Sequence, residues 1–293
     1  MAIILISLMI LESVIKMNVI EIRPNGFCNG VHRAIKMVDD ILKDPNTPKP
    51  IYMFGNLVHN KSVVDMYKDK INIILDDYDK ELDKINNGTV IFTAHGIAPH
   101  FIDKAKSKGL NIVNTTCPRV LKVHKMIKQK LDDGYYVLVI GKETHPEVLS
   151  YLGISDNIKL YDDKFVPINR TFIVNQTTLI YEDVLKIYEK LKSTYENVEI
   201  ACEICNATKV RQQALYDYRD DCDAFIIVGD KLSNNCTSLY EVARTMHPAY
   251  KIESKDELDA IDLTRFKKIG VTAGASTPKH LLNEVIEKIK ALS

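Results

Sequence analysis

CNGVHRAIKMV (28–38), CPRVLKVHKMI (117–127) and CNATKVRQQAL (205–215) are three versions of one pattern. In each, a cysteine that follows a strand, or a short turn after one, opens a helix. The spacing is even: 89 residues separate Cys28 from Cys117 and 88 separate Cys117 from Cys205. The same phase continues outward. The next strand of each unit ends at a glycine: Gly55 in MFGNLVH, Gly141 in VIGKETH and Gly229 in IVGDKLS. Four residues beyond each glycine stands a polar group, His59, His145 and Ser233. The third strands of the outer units match directly, TAHGIAP (93–99) against TAGASTP (272–278), and the middle unit offers VNQTTL (174–179).

Short β-rich runs such as YYVLVIG, TFIVNQ and AFIIVG alternate with helical stretches such as HRAIKMVDDIL and HLLNEVIEKIKAL. This alternation predicts an α/β protein with mostly parallel sheets. With the repeat, it predicts three pseudo-equivalent α/β lobes closed around a centre, since the period exceeds that of typical solenoids. The expected division is an N-terminal strand at 17–28 packing with the third lobe, then lobes at 29–116, 117–204 and 205–293. Ligands of parallel sheets collect beyond the carboxyl ends of the strands. The cysteines, the polar groups after the glycines and the ends of the third strands all lie there.

The bulk numbers bound the function. The chain has 293 residues, 46% of them apolar, enough for a sizeable core. Its 39 basic and 39 acidic residues cancel, so nothing steers it generally toward nucleic acid or an anionic membrane, and an anion site must be built locally. Residues 1–11 (MAIILISLMIL) are apolar but fall short of the roughly 20 needed to span a bilayer, and no basic region precedes them. Met17 opens the strand MNVIEI, so the chain is read as starting there, or as carrying an extra apolar arm before it. Six cysteines without an export signal point to a reducing, cytoplasmic setting.

Three convergent thiolates suit zinc or an iron–sulfur cluster, and three protein ligands leave a metal position open for substrate. A single cysteine at a strand end is more often a small buried residue; the shared phase of Cys28, Cys117 and Cys205 favours ligands. Cys202 reads as structural, and Cys222 and Cys236 as core. His59, His95 and His145 each end a strand-to-loop turn at the predicted ligand face. With Ser233, Asn235 and Ser276 they form a donor-rich pocket suited to a diphosphate. No Walker-type lysine loop is present, which disfavours phosphoryl transfer of that kind. Glu147 reads either as a proton donor or as a carboxylate complementing the helix that opens at Pro146. His32, His100, His124, His247 and His280 fall on helices or helix starts, are expected to be exposed, and receive no role.

With these residues assembled, residues 17–293 resemble the 4-hydroxy-3-methylbut-2-enyl diphosphate reductase family of the methylerythritol phosphate pathway. The segments that carry the likeness are GFCNGVHRAI (26–35), VHNKSVV (58–64), TAHG (93–96), TTCPRVLKVH (115–124), HPEV (145–148), NQTTL (175–179), ICNATKVRQ (204–212), SNN (233–235) and VTAGAS (271–276). The resemblance implies a trilobed fold around a [4Fe–4S] cluster on Cys28, Cys117 and Cys205, with one open iron. It implies an allylic diphosphate bound by His59, His95, His145, Ser233, Asn234, Asn235 and Ser276. Thr177 falls at the hydroxymethyl end and Glu147 at the proton donor, with His145 beside it. It implies a ferredoxin- or flavodoxin-like electron donor, and isopentenyl and dimethylallyl diphosphates as products. The chain departs from the family at Asn234 (usually Ser), Arg119 (usually apolar), Lys142 (often His), His32 (usually acidic) and Ser150 (usually Gly). The alternatives are a divergent paralogue with the same cluster and another substrate, a non-catalytic iron–sulfur sensor, and a zinc hydrolase.

Overall fold

The computed structural model describes residues 17–164, 166 and 170–292; the apolar stretch 1–16 and the question of its role lie outside them. Among the described residues, three four-stranded sheets, all parallel, make up the fold. The chain begins with β1 (Asn18–Glu21) and α1 (Asn29–Lys43). The first complete sheet follows, with β2 (Ile51–Phe54), α2 (Lys61–Asp65), β3 (Asn72–Ile74), α3 (Tyr78–Lys84), β4 (Thr89–Phe92), α4 (Pro99–Ser107) and β5 (Asn111–Asn114). The second comprises α5 (Pro118–Asp132), β6 (Tyr136–Ile140), α6 (Pro146–Leu152), β7 (Ile158–Leu160), β8 (Thr171–Asn175), α7 (Tyr181–Thr194) and β9 (Val198–Ile200). The third contains α8 (Asn206–Asp217), β10 (Ala224–Val228), α9 (Asn234–Arg244), β11 (Ala249–Ile252), β12 (Lys268–Ala273) and α10 (Lys279–Ala291).

The strand orders β3-β2-β4-β5, β7-β6-β8-β9 and β11-β10-β12-β1 superpose as one pattern, because β1 completes the third sheet by pairing with β12. The central strands are apolar on both faces, as buried parallel strands are: β4, β8 and β10 are buried at every position. Each sheet lies between two apolar clusters, formed by its own helices on either side. Three-to-four-residue β3, β7 and β11 sit at one edge of each sheet, too short to show a period-two signal in sequence.

This topology positions the candidate residues. The fourth strand of each sheet leads within a few residues to Cys28, Cys117 or Cys205, and each cysteine is the N-cap of the helix that follows. Those helices form because apolar residues recur on one face, for example Val31, Ala34 and Val38 in α1 and Val120, Val123 and Ile127 in α5. The repeat glycines end the first strand of each sheet. Gly55 sits at φ +89°, which L-residues rarely adopt. Among the described residues no helix is long and apolar enough to cross a membrane.

Candidate active site

All twelve residues singled out from the sequence line one pocket where the three sheets meet. It contains Cys28, Cys117 and Cys205; His59, His95 and His145; Glu147 and Thr177; and Ser233, Asn234, Asn235 and Ser276. Five of them are helix N-caps: the three cysteines, His145 of α6 and Ser233 of α9. Five helix N-termini therefore converge, each with first-turn N–H groups that lack an intrahelical partner and a partial positive charge. Such a centre favours anions, thiolate or diphosphate alike.

The six cysteines are free of disulfides. Burial pushes the Cys117 thiol up, and the backbone N–H groups of Arg119 and Val120 oppose this. Among the described residues, the only group of three or more potential metal ligands within 4.8 Å of one another is His59, His95 and His145. At least one pair of the three sulfurs is therefore more than 4.8 Å apart, wider than the roughly 3.8 Å that thiolates on one zinc impose. Gly30 is the cradle beside them: a Cβ there would lie 2.8 Å from the Cys117 sulfur and 3.7 Å from that of Cys28. Gly30→Ala should fold, because the overpacking costs only about 1–3 kcal/mol, yet lose most of its metal. Iron per chain after anaerobic reconstitution checks this.

The three imidazoles pack at centroid separations of 4.3 Å (His59–His95), 5.5 Å (His59–His145) and 5.6 Å (His95–His145). Burial lowers the pKa of all three, and for His145 reaches about 3, with His59 and Lys142 adding to the effect. All three are thus neutral at pH 7 in the ligand-free pocket. The Glu147 N–H donates to His145 Nδ1 at 3.2 Å, so Nε2 is the nitrogen that carries the proton. His59 Nε2 is buried without a partner; Arg211 Nε is the only other such side-chain atom among the described residues.

Glu147 is 2% exposed. Its Oε1 accepts from the Thr177 N–H at 2.6 Å and the Tyr151 hydroxyl at 2.9 Å, and its Oε2 accepts from the Thr177 hydroxyl at 2.9 Å. Burial pushes the carboxyl up to about 6, against the downward pull of these bonds. The helix-dipole reading alone does not account for a carboxylate bonded in this way inside a pocket. Sequence reasoning missed Tyr151, although its spacing of four from Glu147 on one helix is a legible signal.

The remaining donors are partly engaged. Ser276 donates to the His59 carbonyl at 2.9 Å, and Ser233 accepts from the Cys236 N–H at 3.4 Å, leaving its own proton free. Asn235 accepts from the Ala275 N–H at 2.8 Å and holds that loop. Asn234 donates its amide to Thr178, to the carbonyl at 3.0 Å and the hydroxyl at 3.1 Å, which ties the third sheet's loop to the second's. A serine there is too short for both bonds. Arg119 lines the pocket beside Cys117. Ser150 is buried and donates to the Glu147 carbonyl at 2.7 Å. The expectation that His124 is exposed is corrected: it lies 2.9 Å from Ser150 Oγ, and burial lowers it to about 4. Cys222 and Cys236 are core, 3% and 0% exposed.

Residues 19–290 match the family described as LytB protein. A 4-hydroxy-3-methylbut-2-enyl diphosphate reductase of Geobacillus sp. is 40% identical over 282 residues, covering 92% of this chain and 90% of that protein. The structure of the E-1-hydroxy-2-methyl-but-2-enyl-4-diphosphate reductase from Plasmodium falciparum aligns with TM-score 0.85 at 32% identity, over 93% of this chain and 87% of that one. A solved (E)-4-hydroxy-3-methyl-but-2-enyl diphosphate reductase, the terminal enzyme of the non-mevalonate pathway, aligns with TM-score 0.65 at 30% identity, over 94% and 99% of the two chains.

Proposed function

This chain belongs to the LytB protein family, and from that premise we propose that it reductively dehydroxylates (E)-4-hydroxy-3-methylbut-2-enyl diphosphate, releasing water and forming isopentenyl and dimethylallyl diphosphates. The observation that carries the reading is the buried Glu147–Thr177 pair, set in one pocket with three thiols and three neutral imidazoles. The proposed division into lobes at 29–116, 117–204 and 205–293, with 17–28 joining the third, stands on the same reading.

The donor set fits an iron–sulfur cluster. Three thiols cap three helices, at least one pair of them lies wider than one zinc allows, and they flank a glycine that leaves room beside two of them. Cys28, Cys117 and Cys205 would hold it, and when bound it supplies single electrons and an open iron acting as Lewis acid toward the substrate oxygen. The residues supply placement and protons. His59 Nε2, His145 Nε2–H and the Ser233 hydroxyl are the groups available for the diphosphate, and Ser276 donates to it after turning from the His59 carbonyl. Lys142, whose charge His59 and His145 both feel, adds a cation at that end. Glu147 holds a proton and passes it through the Thr177 hydroxyl. The reducing equivalents come from a ferredoxin- or flavodoxin-like carrier.

An anion entering a set of neutral imidazoles raises their pKa values, so binding is coupled to proton uptake. Inorganic pyrophosphate should therefore bind more tightly as pH falls from 8 to 6.5. Calorimetry at pH 7 in buffers of different ionisation enthalpy should show net proton uptake by the protein.

The deciding experiment is anaerobic. The reconstituted protein is mixed with reduced viologen, and dye oxidation is followed on adding the allylic diphosphate. Substrate-dependent oxidation supports the reductase. A cluster-loaded protein that ignores this substrate would give the lead to a paralogue whose pocket the Asn234–Thr178 link has reshaped.

A further inference from the structure

The three helices that open at the cysteines bury the same offsets, the third, sixth and tenth residues beyond each. These are Val31, Ala34 and Val38 in α1, Val120, Val123 and Ile127 in α5, and Thr208, Arg211 and Leu215 in α8. Arg211 thus stands where the repeat otherwise places Ala34 and Val123. Both of those are 0% exposed, and Arg211 itself is only 5% exposed. A guanidinium persists in such a position only where partners compensate its lost hydration. Nη2 donates to the Gly26 carbonyl at 2.7 Å and Nη1 to the Ala207 carbonyl at 2.8 Å. Nε is buried without a partner. Arg211 lines the same outer pocket as Cys28 and Cys205.

The other two helices carry a comparable cation one position earlier. Arg33, five residues after Cys28, donates to the Thr116 carbonyl at 3.1 Å, immediately before Cys117. Lys122, five after Cys117, bonds both oxygens of Glu203 at 2.7 and 2.9 Å, two residues before Cys205. Arg211, six after Cys205, reaches Gly26, two before Cys28. In cyclic order, a cation on the helix opened by one cysteine holds the segment just ahead of the next. Each side of the cysteine triangle has one such brace.

We propose that Arg211 is a positioning residue of the iron–sulfur site: it provides buried positive charge on the side of the pocket that Cys28 and Cys205 line, and with Arg33 and Lys122 it closes a ring of braces that sets the spacing of the three sulfurs. The proposal rests on the reading of those cysteines as cluster ligands. Cluster potential depends on local charge and on hydrogen bonds to sulfur, so Arg211 holds the potential up as well as the geometry in place. Of the three braces it acts most strongly, since the Lys122 side chain is 52% exposed and its ion pair is weakened by solvent.

The test uses the full chain, reconstituted without oxygen, as wild type, Arg211→Met, Arg211→Lys and Lys122→Met. Iron release to a chelator and the midpoint potential from an EPR-monitored redox titration are read for each. Arg211→Met should release iron at least about tenfold faster, in line with the loss of a group that supports a metal ligand, and its midpoint should move to more negative potential. Arg211→Lys should restore the potential but release iron faster than wild type, because it keeps the charge and loses the planar fork. Lys122→Met should release iron faster than wild type but less so than Arg211→Met, and keep the wild-type potential. Wild-type release and potential in Arg211→Met would overturn the proposal. If that variant fails to fold, Arg211→Lys decides alone, and a wild-type release rate there overturns the proposal. A wild-type chain that takes up no iron overturns the ligand assignment and this proposal together; an iron-loaded wild type with an indifferent Arg211→Met overturns the proposal alone.

Discussion

Glu147→Gln is expected to remove turnover while making the ligand-free protein more stable above pH 6. The geometry permits the exchange. The amide oxygen can accept from the Thr177 N–H and the Tyr151 hydroxyl as Oε1 does, and the amide nitrogen can donate to the Thr177 hydroxyl in place of Oε2. What disappears is the transferable proton, and loss of a positioned acid lowers rates by about 10²–10⁴-fold. Stability moves the other way. Burial holds the folded carboxyl at about 6 against an ordinary 4.5, so its favourable contribution is complete below 4.5 and lost as pH rises through 6. The shift corresponds to about 2 kcal/mol, which glutamine does not lose at pH 7.5. Denaturant melts of cluster-free protein at pH 7.5 and pH 4 should show the variant ahead only at the higher pH, and the viologen assay should show it inactive. Near-normal turnover would remove Glu147 as the acid. A variant less stable than wild type at pH 7.5 would contradict the account of its burial.

Replacing Cys28, Cys117 or Cys205 with serine should cost the protein its cluster, whereas Cys202→Ser and Cys236→Ser should keep it. The three share the pocket and the N-cap position, and the others do not. Cys202 packs against the apolar layer beneath β8 and α7. Cys236 is wedged where a Cβ on Gly229 or Gly274 would collide with its sulfur, at 2.3 and 2.0 Å. Loss of a ligand should exceed the roughly 10–100-fold weakening that follows loss of a group merely supporting one. Iron and sulfide per chain and the visible absorption of the reconstituted protein report the result. Full iron in all three serine variants would refute the ligand assignment, and loss of iron in Cys202→Ser would mean the C-x-x-C pair at 202 and 205 acts as a unit.

The sequence alone determined the α/β class, the threefold period and the end of the sheets where chemistry gathers, because these depend on local regularities. A cysteine that opens a helix and a glycine that follows the next strand repeat legibly along the chain. The edge strands β3, β7 and β11 escaped because three or four residues carry no clear period. Tertiary structure alone decided what each polar side chain touches. It took His124 from a surface position into contact with Ser150, gave the Asn234 amide to Thr178, and placed the Tyr151 hydroxyl on Glu147. It also brought the buried Arg211 guanidinium onto the Gly26 carbonyl, 185 residues away along the chain. Periodicity specifies which face of an element is buried, but burial and pKa are set by atoms that meet only after the three sheets have closed on one another.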